Sequence, residues 1–455
     1  MKKILIVITL ITFFAIQNIL VKAEWQNVKF SNSSQIVSAN AIMPDGKILI
    51  LSDARSAGNQ FMISDVNVEN WETFLAENDV TYHYFFNADN PNNILYCALD
   101  PKVHPAFALY SLNYFSKETK MIRANDVAHY LMYRYFVNGD EIIAVGEMSL
   151  LSIAPMWLSF PTISKTNDNG ISWWDTAFTD YVYYENVDVM YGEGITSISV
   201  LNDSTYILLL ISPQSIASPT GRVLKSTDSG KTWAETLFEK DVRMQNMKFF
   251  GDKVGIIYGG SGTLYKTEDG GESWFNLYPL ANFEDTTYWF VDIYFFDTDK
   301  ILSVGSHVSR IEAVICYSED GGLTWATQHR LSGTSLLSIA VDHDKIYCFG
   351  RNGMLVKGNV SDLSSISKPS QILSLQLCPN PTSESTNIFL ELETACNVKI
   401  VLCDLLGQEL LQVYDDFAVA GLFTSTIQTN NLARGIYFLK VLIDGNIVVE
   451  RVIVE

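Results

Sequence analysis

Thr166-Asn-Asp168-Asn-Gly170-Ile-Ser172-Trp173 decides the fold, because the chain writes it four times. Ser226-Thr-Asp228-Ser-Gly230-Lys-Thr232-Trp233, Thr267-Glu-Asp269-Gly-Gly271-Glu-Ser273-Trp274 and Ser318-Glu-Asp320-Gly-Gly322-Leu-Thr324-Trp325 keep the order Ser/Thr-x-Asp-x-Gly-x-Ser/Thr-Trp. A short pattern returning every few tens of residues marks an array of like supersecondary units. Every part of this box has a local use. The carboxylate accepts from turn amides, the glycine supplies a positive φ, and the hydroxyls at either end bond the nearby backbone. The tryptophan opens the next strand and packs over the hairpin.

Working outward, Ser64-Asp-Val66-Asn-Val68-Glu-Asn-Trp71 keeps the leading serine and the tryptophan but has valines at the Asp and Gly positions, and reads as a degenerate box. The gap from Trp71 to Trp173 is about twice the other spacings, so an unmarked unit belongs there, with Tyr110–Glu118 as its hairpin. After Trp325 the chain supplies one strand to Arg330 and then three more, Leu336–Val341, Lys345–Gly350 and Met354–Lys357. That final unit is one strand short. Trp25-Gln-Asn-Val-Lys-Phe30 resembles the strands that follow the boxes and is expected to complete it, sealing a ring with no open edge.

The boxes resemble the Asp-box, or BNR, repeat of sialidase-type β-propellers. The resemblance implies that each box joins the third and fourth strands of a blade at the outer rim, away from the central channel. The expected fold is all-β: a seven-bladed β-propeller over residues 24–360, with six blades as the alternative, followed by a small C-terminal β-sandwich. Asp168, Gly170, Trp173, Asp228, Gly230, Trp233, Asp269, Gly271, Trp274, Asp320, Gly322 and Trp325 are then structural residues.

Lys2-Lys3, an apolar stretch from Ile4 to Leu20 and the small-residue ending Val21-Lys22-Ala23 read as a secretory signal peptide over residues 1–23. No other segment approaches a membrane span. A net charge of −20 disfavours nucleic acid and anionic lipid as partners. The six cysteines have no metal-ligand spacing, so no metal or cofactor is expected, and they read as buried strand thiols. Cys378 with Cys396 or Cys403 is the one grouping near enough in sequence for a disulfide.

Residues 361–371 are a Ser-rich linker, and 372–455 form a second module. Alternating apolar strands separated by turns at Leu406-Gly407, Arg434-Gly435 and Asp444-Gly445 predict the sandwich. The Pro379-Asn-Pro381 opening, Asp404-x-x-Gly407 and Gly435-x-Tyr437-x-x-x-Val441 together resemble the C-terminal sorting domain of type IX secretion cargo. The resemblance implies passage through the periplasm and recognition by the type IX translocon and sorting machinery. It also implies a secreted or outer-cell-surface destination.

Sialidase chemistry needs three arginines on the substrate carboxylate, a Tyr-Glu nucleophile pair and an acid/base aspartate. Against that template Arg55 falls where one arginine belongs, but Ile36-Val37-Ser38 stands where the Arg-Ile-Pro motif would be, and Phe61 stands at the aspartate. No catalytic residues are assigned. Asp342-His343-Asp344 reads as a hairpin turn rather than a metal pair. Binding residues are sought instead in the Tyr- and carboxylate-rich interval between the first two boxes: Tyr181, Tyr183, Tyr184 and Tyr191 with Asp180 and Glu185. Trp289, in a connection ahead of an inner strand, is a second candidate, and Arg55 a third. The expected function is a non-catalytic exported propeller binding a glycan or protein ligand. A divergent exo-glycosidase and a surface structural protein are the alternatives.

Overall fold

The computed structural model describes residues 25–29, 36–54, 58–65, 70–76, 83–87, 91–99, 107–124, 129–138, 140–151, 157–178, 182–186, 189–192, 194–211, 219–260, 263–277, 288–307, 311–363, 372–405, 407–443 and 446–455. The expected signal peptide and the linker beyond residue 363 lie outside them. Residues 360–362, at the head of that linker, form a short 3-10 turn, with the Ser361 amide donating to Asp344 Oδ1 at 2.8 Å.

Among the described residues, strands come in antiparallel groups that we number as sheets one to seven by their first strands. Those first strands are Ile36–Ile42, His83–Asn87, His129–Asn138, Gly194–Val200, Arg243–Phe250, Tyr288–Phe295 and Leu336–Asp342. Each contacts the next, and the seventh contacts the first, so they close a cycle. Sheet seven takes its fourth strand from the other end of the chain. Gln26–Lys29 pairs antiparallel with Lys357–Met354, as the sequence predicts, and Trp25 stacks 6.1 Å from His329 of sheet six.

All four boxes join third and fourth strands, in sheets three to six. In the second box Asp228 Oδ1 accepts from the Lys231 and Thr232 amides at 3.0 and 2.8 Å, and Oδ2 accepts from the Thr232 hydroxyl at 2.6 Å. Ser226 Oγ accepts from the Gly230 amide, Gly230 sits at φ +85°, and Trp233 Nε1 returns to the Gly230 carbonyl at 3.1 Å. Box and indole thus form one closed set of bonds. The third box differs in its indole, since Trp274 Nε1 donates to Thr236 Oγ1 of sheet four.

The core lies between sheets. Tyr96, Tyr265 and Tyr347, at most 2% exposed, fill equivalent gaps, and burial of each side chain stabilises by about 1.5–3 kcal/mol. The first strand of every sheet carries a register shift near its start, for instance between Met244 and Asn246 and between Phe290 and Asp292. In sheets three, five, six and seven the second strand faces that bulge with a glycine: Gly146, Gly259, Gly305 and Gly350. A Cβ on Gly305 would lie 2.2 Å from the Trp289 carbonyl oxygen, so only glycine fits.

The C-terminal module is a sandwich of two sheets. One orders Ile372–Cys378, Ser385–Leu392 and Gly421–Gln428; the other orders Glu409–Ala418, Cys396–Cys403, Gly435–Ile443 and Asn446–Val454. Asn380, between the two prolines, substitutes for a strand: its Nδ2 donates to the Arg451 carbonyl at 2.6 Å and its Oδ1 accepts from the Ile453 amide at 2.9 Å. Asp404 and Gly407 close the next hairpin, with Gln408 N donating to Asp404 Oδ1 at 2.8 Å. Cys378, exposed, and Cys348 and Cys403, buried, are free thiols, and Cys316 and Cys396 are buried as well.

Candidate functional site

In a four-stranded antiparallel sheet the first–second and third–fourth connections share one edge, and the remaining connections share the other. The box edge is consumed by its own bonding. In every complete box the residue before the conserved glycine donates its amide to the first–second turn of the same sheet: Asn169 to Asp140, Ser229 to Ser204, Gly270 to Lys253 and Gly321 to Asp299, at 2.8–2.9 Å. The Ser172 hydroxyl and amide hold Asp168 at about pKa 2. The carboxylate of each box is thus spent chiefly on its own turn.

The opposite edge is built differently. In sheet three the second and third strands, Glu141–Leu151 and Trp157–Thr166, run past the usual length, and an extra hairpin of Val182–Asn186 and Val189–Gly192 joins them through a parallel bridge from Met190 to Leu158. Tyr183 stands directly opposite Tyr191, and Tyr184 opposite Met190. Tyr184 and Glu185 follow in the same strand. The hairpin is therefore ordered strand where the sequence suggested a long connection. Asp180, Tyr181 and Arg55 lie outside the described residues.

Trp289 is the second residue of the first strand of sheet six, not part of the preceding connection, because the aromatic run that begins at Tyr288 is already paired to Ser306 and His307. Its indole Nε1 donates to Gln245 Oε1 at 2.8 Å. Gln245 is the bulged residue of sheet five, and the bulge turns its amide toward the neighbouring sheet. Exposed Arg243 begins the same strand. A cavity of about 20 Å³ beside them, lined by Thr220, Val242 and Met244, has room for one water and none for a ring. Sheets four and five separate Trp289 from the Tyr183–Tyr191 pair, so the two candidate patches sit on different parts of the ring.

Deeper along the first strands, polar groups stitch sheet to sheet. Asn246 Nδ2 donates to the Val291 carbonyl at 3.4 Å, Lys248 Nζ to the Ile293 carbonyl at 2.8 Å, and the Ile339 amide to Asp292 Oδ2 at 2.9 Å. Lys248 and Asp292 also pair at 3.5 Å. These groups hold the ring closed, and the sequence reading passed over them.

Three of the propeller arginines are each engaged by a different carboxylate and a different ring. Arg123 pairs with Asp175 at 2.8 Å and lies over Trp173, Arg222 pairs with Glu235 and lies over Phe238, and Arg330 pairs with Glu312 and lies over Tyr288. Each lies on a third or fourth strand of a different sheet. Phe61, at the aspartate position, is fully buried with its ring 5.3 Å from Tyr96. His343 is an exposed turn residue at φ +52°, as the sequence predicts for Asp342-His343-Asp344.

Two repeats escaped the sequence reading although they were legible. Lys165, Lys225 and Lys266 immediately precede the first three boxes. Lys225 is buried and reaches the box of the next sheet, donating to the Gly270 carbonyl at 2.8 Å and pairing with Glu272 at 2.7 Å. The second repeat is the glycine that ends the apolar run of a second strand.

Residues 376–455 match the family described as secretion system C-terminal sorting domain. No curated protein matches the chain in sequence. Solved structures match it in fold. YCF48 from Cyanidioschyzon merolae is 15% identical with a TM-score of 0.50, over 74% of this chain and 99% of that one. The GH74 xyloglucanase from Xanthomonas campestris is 13% identical with a TM-score of 0.50, over 81% of this chain and 59% of that one. At such identities the likeness is one of architecture. The protein is a β-propeller followed by a type IX sorting domain, which marks it for secretion and cell-surface attachment. No helix among the described residues is long and apolar enough to cross a membrane.

Proposed function

We propose that this is an exported propeller, freed of a signal peptide over residues 1–23, that binds a glycan or protein ligand on the face opposite the boxes without catalysing a reaction. The observation that carries the reading is the extension of sheet three. One sheet alone among those described is lengthened by a further hairpin, and that hairpin places Tyr183 against Tyr191 on the edge that the boxes leave free. Tyrosine supplies large, rigid contact area with a polar tip, the composition of a recognition surface. The Trp289–Gln245 pair on sheets five and six is a second contact point on the same face.

The exo-glycosidase alternative is disfavoured by Phe61 and by the three separately paired arginines. A glycan array probed with the full chain tests the proposal. Binding that is lost in Tyr183→Ala/Tyr191→Ala with an unchanged melting temperature supports it. Turnover of a fluorogenic sialoside by the wild type sinks the non-catalytic reading. Removal of Leu432–Glu455 is expected to hold the chain inside cells, and undiminished export of that variant would refute delivery by the sorting domain.

A further inference from the structure

The sorting domain's four-stranded sheet has two buried faces, whereas a sheet at the surface of a sandwich needs only one. Along Gly435–Ile443, Tyr437, Leu439, Val441 and Ile443 enter the sandwich core, while Phe438 on the opposite face is 1% exposed. The same division holds in the neighbouring strands. Val398, Ile400 and Leu402 point inward, whereas Val401, Cys403 and Val449 join Phe438 in a cluster that contains Phe275, Leu277 and Trp325 of sheets five and six. Strands covered on both sides read as near-continuous apolar runs, and Ile436-Tyr-Phe-Leu-Lys-Val-Leu-Ile443 is such a run.

The propeller is cut to receive this face. The fourth strand of sheet five is two residues long, Phe275–Asn276, against seven in sheets four and six. The edge amide that a longer outer strand would carry is used instead across the junction, where Asn276 N donates to the Leu405 carbonyl at 3.0 Å. The Phe275 and Phe438 rings lie 5.7 Å apart. Arg451, on the outer face of the last strand, pairs with Glu268, which also pairs with buried Lys266 at 3.0 Å. A cavity of about 410 Å³ remains between Lys266, Asp320, Leu323, Val448 and Arg451. That cavity opens to solvent, and the sandwich keeps a core of its own in its inward-facing residues, so the junction joins two separately folded bodies.

We propose that the outer face of the sorting sheet is an interaction surface held in cis by the rim of sheets five and six. Severing the connector between residues 363 and 372 then leaves a noncovalent complex of propeller and sorting domain, and release requires a competitor for that face. Tethering makes the contact effectively intramolecular; once the tether is cut, the remaining affinity rests on the Phe275–Phe438 contact, the Asn276–Leu405 bond and the Arg451–Glu268 pair.

The test uses the full chain with a site-specific protease sequence replacing residues 364–370. After complete cutting, size-exclusion chromatography at micromolar concentration is expected to give one peak containing both fragments. Phe438→Ser should resolve it into two. Arg451→Glu, which changes a side chain 43% exposed and so leaves the sandwich core intact, should speed dissociation about tenfold, and Arg451→Lys should not. Two peaks from the cut wild type would overturn the proposal. So would an Arg451→Glu complex that dissociates at the wild-type rate, a result that decides the matter even if Phe438→Ser fails to fold.

Discussion

Sheets two and six place the same hairpin at the same point of the ring and close it with different chemistry. In sheet six the box satisfies itself: Asp320 takes the Thr324 amide at 2.8 Å and hydroxyl at 2.6 Å, and Trp325 Nε1 returns to the Gly322 carbonyl at 2.9 Å. In sheet two, Asn113 Oδ1 takes the Phe115 and Ser116 amides at 3.0 and 2.9 Å, and Lys117 adopts the positive φ, +58°. Tyr114 stands in for the tryptophan, but its partners belong to sheet one. Its hydroxyl donates to Asp45 at 3.0 Å, and its ring stacks on Phe74 at 5.2 Å. Burial, with the Asp45 carboxylate beside it, pushes that phenol well above its ordinary range. The sheet-six box returns its aromatic residue to its own turn, whereas the sheet-two hairpin ties its aromatic residue to the neighbouring sheet.

Four substitutions sharpen the contrast. Gly305→Val should cost most, about 3 kcal/mol, because its Cβ would overlap the Trp289 carbonyl oxygen and that backbone cannot retreat. A guanidinium denaturation midpoint measures it, and a loss under about 1 kcal/mol would show that the bulge yields. Asp320→Ala should cost about 2 kcal/mol by orphaning the Thr324 amide, with Asp320→Asn recovering part of it. Tyr114→Phe should cost about 1 kcal/mol, since one bond to a half-exposed carboxylate is lost while the stack on Phe74 remains. If Tyr114→Phe proved the more damaging of the last two, the inter-sheet hairpin would be the stronger device.

The smallest effect is in pH. The Ser172 hydroxyl and amide lower Asp168 to about 2 in the folded chain, against about 3.9 unfolded. A depressed carboxylate contributes its stability above the unfolded value and loses it as pH falls through the folded one. Melting temperature should therefore be flat above about pH 5 as far as Asp168 is concerned and decline below about pH 4. Asp168→Asn should flatten that acid limb. An unchanged acid slope in the variant would remove Asp168 from the account.

Much of the architecture was legible because strand pairing and turn chemistry are short-range. The boxes located four hairpins, the degenerate Ser64–Trp71 segment located another between strands Gly58–Ser64 and Trp71–Ala76, and the missing strand pointed back to Trp25. The candidate site was less legible. Tyr183 and Tyr191 could be singled out by composition, yet only the register puts them opposite one another. An aromatic run has no visible start in the sequence, so Trp289 reads there as connection, whereas the fold pairs it within a strand. The bulge that aims Gln245 at Trp289 depends on Gly259 in another strand, a pairing that no local pattern announces.

The order of residues, read alone, was enough for the array, its all-β character, the closing strand and the sorting module, since each follows from groups that satisfy one another within a hairpin or from strand alternation. Tertiary structure decided what those units do to one another. It chose the ring as the way to bury both faces of each sheet, set Lys225 of one sheet on the box of the next, and laid the sorting sheet over the shortened edge at Phe275–Asn276. These contacts join residues far apart in the chain. Their energies come from shape and desolvation at surfaces that exist only once both partners have folded.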